Sequence, residues 1–356
     1  MKWGFRWYGE SDPIPLEYVK QIPNVKGVVG TLLNKLPGDV WEKEEIKELQ
    51  DSIRSRGMEL LGIESVSIND AIKAGTEERD YYIDNYIQTI RNLAECGINL
   101  ICYSFKPIFG WAKTDLNYEL EDGSRTLMYD EEVVQSIEPA EMFNLITSQT
   151  GDFDLSGWEA ERFEEFNELL AMYEDISEED LRDNLKYFLD RVIPVCEECD
   201  VYMGIHPDDP PWEMFDFPRI TKNLEDLKKI LSLYDSPHNG ITLCTGSLGA
   251  RPDNDLVEII NEVGDRIHFV HFRNVMWEEN QKFYESAHPS SYGSLDMYKI
   301  MEALIDNGFS GVIRPDHGRT IWGENPRPGY GLYDRALGIT YAIGLEEAIK
   351  KSKENS

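Results

Sequence analysis

Four short apolar runs in this 356-residue chain end in groups that bind metals or move protons. Tyr202-Met203-Gly204-Ile205-His206-Pro207-Asp208-Asp209 ends in an imidazole and two carboxyls. Ile241-Thr242-Leu243-Cys244-Thr245-Gly246 ends in a thiol. Ile267-His268-Phe269-Val270-His271-Phe272-Arg273-Asn274 ends in an imidazole, a guanidinium and an amide. Gly311-Val312-Ile313-Arg314-Pro315-Asp316-His317-Gly318-Arg319 packs an acid, an imidazole and two guanidinium groups into its last six residues. Alternate residues of a strand share a face. His206 then shares a face with Tyr202 and Gly204, Cys244 with Thr242, His271 with Phe269 and Arg273, and Asp316 with Val312 and Arg314. If those faces point inward, His206, Cys244, His271 and Asp316 converge. Two imidazoles, a thiolate and a carboxylate form a divalent-metal set, and by donor softness alone Zn²⁺ or Fe²⁺ comes before Mn²⁺.

A single cysteine is most often a small buried hydrophobe, and a single histidine is often a satisfied core residue. What sets these four apart is that they recur at one depth on consecutive strands. His268 has the opposite parity and reads as structural. His238 precedes a strand, at the wrong end for chemistry, and His288 lies in a loop that nothing singles out. Cys196-Glu197-Glu198-Cys199 sits in a helical pattern without a second such pair and reads as structural, as do Cys96 and Cys102. Further polar groups stand at strand ends: Arg6, Trp7 and Tyr8, then Glu64, then Ser104, Lys106 and Trp111, then Arg273 and Asn274. Arginines beside a metal suit a carboxylate-bearing substrate. For Arg6 and Arg314 a salt bridge to an acid such as Glu64 is the plainer reading. His317 and the tyrosines that follow it are proton-transfer candidates.

The elements that must position these groups alternate regularly. Strands are expected at Met1–Tyr8, Lys26–Leu32, Met58–Ser65, Ile98–Phe105, Val201–Pro207, Gly240–Gly246, Ile267–Asn274 and Gly311–Asp316. Helices are expected between them, several closed by glycine (Gly57, Gly97, Gly308), one opened by Ser177 with Asp180 three residues on. Eight such units predict an α/β fold, a single (β/α)8 TIM barrel spanning residues 1–356, with its chemistry at the C-terminal ends of the strands. Residues from about 106 to 176 break the alternation. They read as a helical insertion after strand 4, with helices at Met128–Ser136 and Trp158–Tyr173 and no clear strand.

A net charge of −32 excludes a nucleic-acid partner, which needs a basic face, and disfavours anionic membrane surfaces. Five cysteines, an odd number in a long chain, do not form a secreted disulfide framework. The N-terminus has no signal-like apolar core, and no run approaches the ~18 apolar residues of a membrane span. A reduced, cytoplasmic location is expected.

The chain resembles the mannonate dehydratase family, within the xylose-isomerase-like barrel superfamily. The resemblance rests on Phe5-Arg6-Trp7-Tyr8-Gly9, Ile205-His206-Pro207-Asp208-Asp209-Pro210-Pro211, Cys244-Thr245-Gly246-Ser247 and Val270-His271-Phe272-Arg273-Asn274. To these add Arg314-Pro315-Asp316-His317-Gly318-Arg319 and Pro328-Gly329-Tyr330-Gly331-Leu332-Tyr333-Asp334-Arg335. It implies dehydration of D-mannonate to 2-keto-3-deoxy-D-gluconate, in hexuronate and glucuronate catabolism. It implies a divalent metal, usually Mn²⁺, with Fe²⁺ or another divalent ion as alternatives. His317 and Tyr330 would share the base and acid roles in an order left open, with Tyr333 as a substitute for Tyr330. Arg6, Trp7, Tyr8, Arg273 and Asn274 would contact the substrate. The expected partner is a small sugar acid, and the expected assembly a homo-oligomer, a dimer. Many members read Asn-Phe-Met-Pro and then Asp-Trp-Thr-Arg-Thr-Asp-Leu after strand 4. Here Ser104-Phe105-Lys106-Pro107 and Gly110-Trp111-Ala112-Lys113-Thr114-Asp115-Leu116 depart from that pattern. The departure bears on substrate contacts more than on reaction type. The rival readings are a sugar isomerase or epimerase on the same barrel, separable by its failure to lose water, and a metal-bound sugar-acid binding module, which has no need of a spare His–Tyr pair.

Overall fold

The structure, a computed structural model, describes residues 1–151, 153 and 166–354. Eight parallel strands close into a barrel: β1 (Lys2–Arg6), β2 (Gly27–Gly30), β3 (Glu59–Glu64), β4 (Leu100–Tyr103), β7 (Tyr202–Ile205), β8 (Asn239–Cys244), β9 (Ile267–His271) and β12 (Val312–Arg314). Around the barrel the order is β1-β12-β9-β8-β7-β4-β3-β2. These are the eight strands expected from the alternation, trimmed at one or both ends, except that β8 begins one residue earlier than expected, at Asn239. Helices cover their outer faces, so the strands are buried on both sides and read as apolar runs without clean alternation. The helix Glu178–Cys199 begins as expected: the Ser177 side chain accepts from the Asp180 N–H, and the Asp180 side chain accepts in return from the Ser177 N–H.

The segment after β4 is not purely helical. It contributes two strands, β5 (Asp115–Glu119) and β6 (Arg125–Tyr129), and the loop after β9 contributes β10 (Val275–Trp277) and β11 (Phe283–Glu285). Together they form a four-stranded antiparallel sheet in the order β10-β11-β6-β5. Met128, expected to open a helix, is a strand residue, and the helix that follows is Glu131–Gln135. Of the helix expected at Trp158–Tyr173, Phe166–Tyr173 is observed and the earlier part lies outside the described residues. The sheet escapes a reading of strand alternation because each strand is only three to five residues long, and the β11–β6 pairing that unites its two short hairpins joins segments about 150 residues apart. It has a structural task at the barrel mouth. Arg125 and Thr320 exchange backbone hydrogen bonds of 3.1 and 2.7 Å, tying the loop after β12 to β6. Thr126 Oγ1 donates to the Glu285 carbonyl at 2.7 Å.

Candidate active site

Strand register brings the expected donors together. Cys244, the last residue of β8, pairs with His271, the last of β9, and His271 pairs with Arg314, the last of β12. His206 follows β7 directly, and Asp316 stands two residues past β12. One donor atom from each of His206, Cys244, His271 and Asp316 lies within 4.8 Å of the others. Each sits where a parallel strand ends, so the shape of the set is fixed by the barrel and not by loops.

Local hydrogen bonds prepare the donors. His206 Nδ1 donates to the Pro207 carbonyl at 2.8 Å, which leaves the Nε2 lone pair for a ligand. Burial lowers the His206 pKa and keeps the ring neutral. The Ser247 N–H donates to the Cys244 sulfur at 3.4 Å, and Ser247 Oγ lies 3.0 Å from it. Burial alone would push the Cys244 thiol up; Arg273, His206 and His271 outweigh it and hold it well below its ordinary value. Cys102 has the opposite fate. Burial and the Glu64 charge push it well up, so it stays a thiol. Burial would raise Asp316 too, but His317, His271, Arg273 and Arg314 hold it well below the carboxylate range.

The donor set fits a divalent cation on this structure's own terms. Both ring nitrogens of the fully buried His271 lack a hydrogen-bond partner. They face anions instead: Nε2 lies 3.3 Å from Glu64 Oε2 and Nδ1 3.6 Å from Asp316 Oδ2. Burial and Arg314 disfavour a charge on His271, yet Glu64 and Asp316 draw its pKa up to about 10. Two carboxylates facing one buried imidazole gather negative charge that a cation held by the neutral ring would offset.

Beside this set stands a chain of proton-handling groups. His317 Nδ1 lies 2.7 Å from Glu285 Oε1, and its Nε2 lies 3.0 Å from the Tyr330 hydroxyl. Burial, with Tyr8 and Asp316, pushes the Tyr330 phenol well up, so it stays protonated. Tyr333, the substitute candidate, is 42% exposed on the helix Leu332–Glu354. The structure therefore brings Tyr330 to His317 and leaves Tyr333 outside.

Of the residues expected to touch substrate, Arg6 and Tyr8 line a cavity together with His206, Asp316, His317 and Tyr330. The Arg6 guanidinium lies 4.4 Å over the Tyr8 ring. Trp7, Arg273 and Asn274 are spent within the protein. Trp7 belongs to the apolar core. Arg273 pairs with Glu285, with Asp209 at 2.6 Å and with Asp316 at 2.9 Å. Asn274 accepts from the Val275 and Leu295 N–H groups and donates to the Pro289 carbonyl. Arg314 takes the plainer role weighed for it, pairing with Glu64 at 2.5 Å and Asp316 at 3.2 Å. His268, expected to be structural, is a half-buried ring edge-on to Tyr202.

Sequence reading missed Glu285 and the role of Asp209. Glu285 lies on β11, an element that was not expected, in a stretch with no other sign of function. Asp209 was visible as a motif residue, and it links Lys113 at 2.6 Å, Arg273 at 2.6 Å and Ser247 at 3.1 Å. A conspicuous Asp-Asp pair after a candidate metal-binding histidine was the available signal.

Comparison with known proteins agrees with this geometry. The family model described as D-mannonate dehydratase (UxuA) matches residues 1–356. A mannonate dehydratase of Enterococcus faecalis is 65% identical over 356 residues, covering 100% of this chain and 99% of the relative. One from Thermotoga neapolitana is 51% identical over 357 residues, covering 99% of each chain. The crystal structure of mannonate dehydratase from Streptococcus suis serotype 2 superposes with a TM-score of 0.90 at 40% identity, covering 99% of this chain and 96% of that one. The chain described here belongs to the mannonate dehydratase family.

Proposed function

We propose that this protein removes water from D-mannonate, giving 2-keto-3-deoxy-D-gluconate, and that His206, Cys244, His271 and Asp316 hold the divalent metal the reaction needs. The observation that carries the reading is the His317–Tyr330 contact at 3.0 Å on the wall of a cavity that His206 and Asp316 also line. A binding module has no need of such a pair. When bound, the metal would act as a Lewis acid, acidifying the C2 proton of a chelated sugar acid. Mn²⁺ is the proposed ion, with Fe²⁺ the alternative that the thiolate favours.

The chain's own groups do the rest. Glu285 holds the His317 proton on Nδ1, so Nε2 carries the lone pair that takes the proton from C2. The Tyr330 phenol, kept protonated by burial, gives its proton to the C3 hydroxyl, which leaves as water as the C3–O bond breaks. The hydrogen bond between the two then returns the proton from the imidazolium to the phenolate, and the pair is reset. The enol product takes a proton at C3 and becomes the 2-keto acid. Arg6 and Tyr8 contact substrate oxygens from the β1 end. Trp7, Arg273 and Asn274 act behind the cavity wall.

The proposed domain organisation is one domain over residues 1–356, with residues about 106–176 as an insertion after β4. The proposed setting is hexuronate catabolism in the cytoplasm, as a dimer. All five cysteines are free, in keeping with a reducing compartment, and no helix among the described residues is long and apolar enough to cross a membrane.

The test is incubation with D-mannonate and Mn²⁺, following keto-deoxy acid, beside Cys244→Ala. Wild-type protein should form it. Cys244→Ala should lose both bound metal and turnover. Full activity in Cys244→Ala would remove the thiolate from the metal set.

A further inference from the structure

The cations around the site fall into two groups. Arg273, Arg314, Lys113 and Lys73 each have a carboxylate within ion-pair distance: Arg273 and Lys113 share Asp209, Arg314 has Glu64, and Lys73 has Asp70 at 2.8 Å. Their charge is spent within the protein. Arg6, whose guanidinium donates to the Val29 carbonyl at 3.3 Å, lines the cavity without such a carboxylate among the described residues, and so does Lys106. Lys106 is 4% exposed, and no carboxylate among the described residues lies within 4.0 Å of its ammonium. Its nearest polar neighbour is His206 Nδ1 at 3.1 Å. That nitrogen carries a hydrogen donated to the Pro207 carbonyl at 2.8 Å, so it offers the ammonium no lone pair. A buried cation facing an N–H is poorly satisfied until an acceptor arrives.

The backbone around Lys106 is fixed. Lys73 Nζ, held by Asp70, donates to the Lys106 carbonyl at 3.2 Å. The side chain therefore starts from a pinned point and ends beside His206, one of the four donors proposed to hold the metal.

We propose that Lys106 is the residue that recognises the anionic end of the substrate, its ammonium hydrogen-bonding the carboxylate of the sugar acid next to His206. The inference rests on the sugar-acid reading above and deepens it. It gives a strongly acidic protein a second cavity cation besides Arg6: with a net charge of −32, the chain as a whole repels such a substrate, and local positive charge must offset that. A charge-assisted bond of this kind corresponds to roughly 10- to 100-fold in binding.

The test compares wild type, Lys106→Met and Lys106→Arg in three measurements: bound metal by elemental analysis, binding of D-mannonate and of the uncharged polyol D-mannitol by calorimetry, and steady-state kinetics. Lys106→Met should keep its metal, bind D-mannonate about 10-fold or more weaker, and raise KM more than it lowers kcat. Lys106→Arg should recover part of the loss. D-mannitol binding should be weak and should not change. Three results would overturn the proposal: D-mannonate binding unchanged in Lys106→Met, an equal loss for D-mannitol, or a loss that tracks missing metal, which would make Lys106 a support for His206. If wild type binds D-mannonate through Lys106 but forms no keto-deoxy acid, the dehydration reading fails and the recognition role stands.

Discussion

Glu285 Oε1 lies 2.7 Å from His317 Nδ1, a contact that joins a barrel-end histidine to a strand of the sheet at the mouth. It fixes both the ring orientation and the tautomer. The free Nε2 is left facing Tyr330 at 3.0 Å. The carboxylate is itself held by Arg273.

Replacing the histidine removes the proposed base. His317→Ala should keep the fold and the bound metal but lose about 10²- to 10⁴-fold in kcat. Steady-state rates alongside metal content check this, and near-normal rates would take His317 out of the mechanism.

Glu285→Gln keeps the shape and removes the charge. Arg273 retains Asp209 and Asp316, so the variant should fold. It should lose at least about 10-fold in kcat with a smaller change in KM, because the histidine loses its anchor and not its place. An unchanged kcat would mean that the contact is only structural.

Acid should unfold the protein partly through Asp209. Burial alone would raise this carboxyl, but Lys113 and Arg273 hold it below its ordinary value of 3.8. The sign follows from that depression: the stabilisation is fully present above the ordinary carboxylate value and is lost as pH falls from there toward the folded value. Tm should drop as pH falls below about 4. Asp209→Asn should be less stable at pH 7, since it leaves two buried cations short of a partner, and should show a flatter acid limb. A limb as steep as in wild type would assign acid sensitivity elsewhere.

Gly246 has no room for a methyl group. A Cβ there would lie 2.6 Å from Arg273 Cγ and 2.7 Å from its Nε. Gly246→Ala should push Arg273 off its carboxylates, costing both stability and bound metal, as read by Tm and elemental analysis. A variant equal to wild type in both would show that Arg273 is free to move.

How legible the site was in the sequence depends on where each residue sits. His206, Cys244, His271 and Asp316 were readable because a parallel barrel puts strand ends at one depth, and period-two parity then says which side chains meet. Tyr330 could be separated from Tyr333 only in three dimensions. Both follow the eighth strand, but the turn at Tyr330 folds back on His317, whereas Tyr333 is on the exposed side of a helix. Glu285 was not readable at all. Its place depends on β11 pairing with β6, a contact between distant segments that leaves no local period. Arg273 misled for a related reason. An arginine after a candidate metal-binding histidine suggests an anion contact, and burial among three carboxylates is settled by neighbours that follow β7 and β12 or lie on β11, which the sequence does not bring together.

The most direct test of the account is the product formed from D-mannonate by the Mn²⁺-loaded protein in D₂O, read by proton NMR and mass spectrometry. Loss of water through His317 and Tyr330, with reprotonation from solvent, predicts 2-keto-3-deoxy-D-gluconate carrying a single deuterium at C3. A product that keeps all of the substrate's oxygen atoms, an isomer or epimer of D-mannonate, would contradict the account.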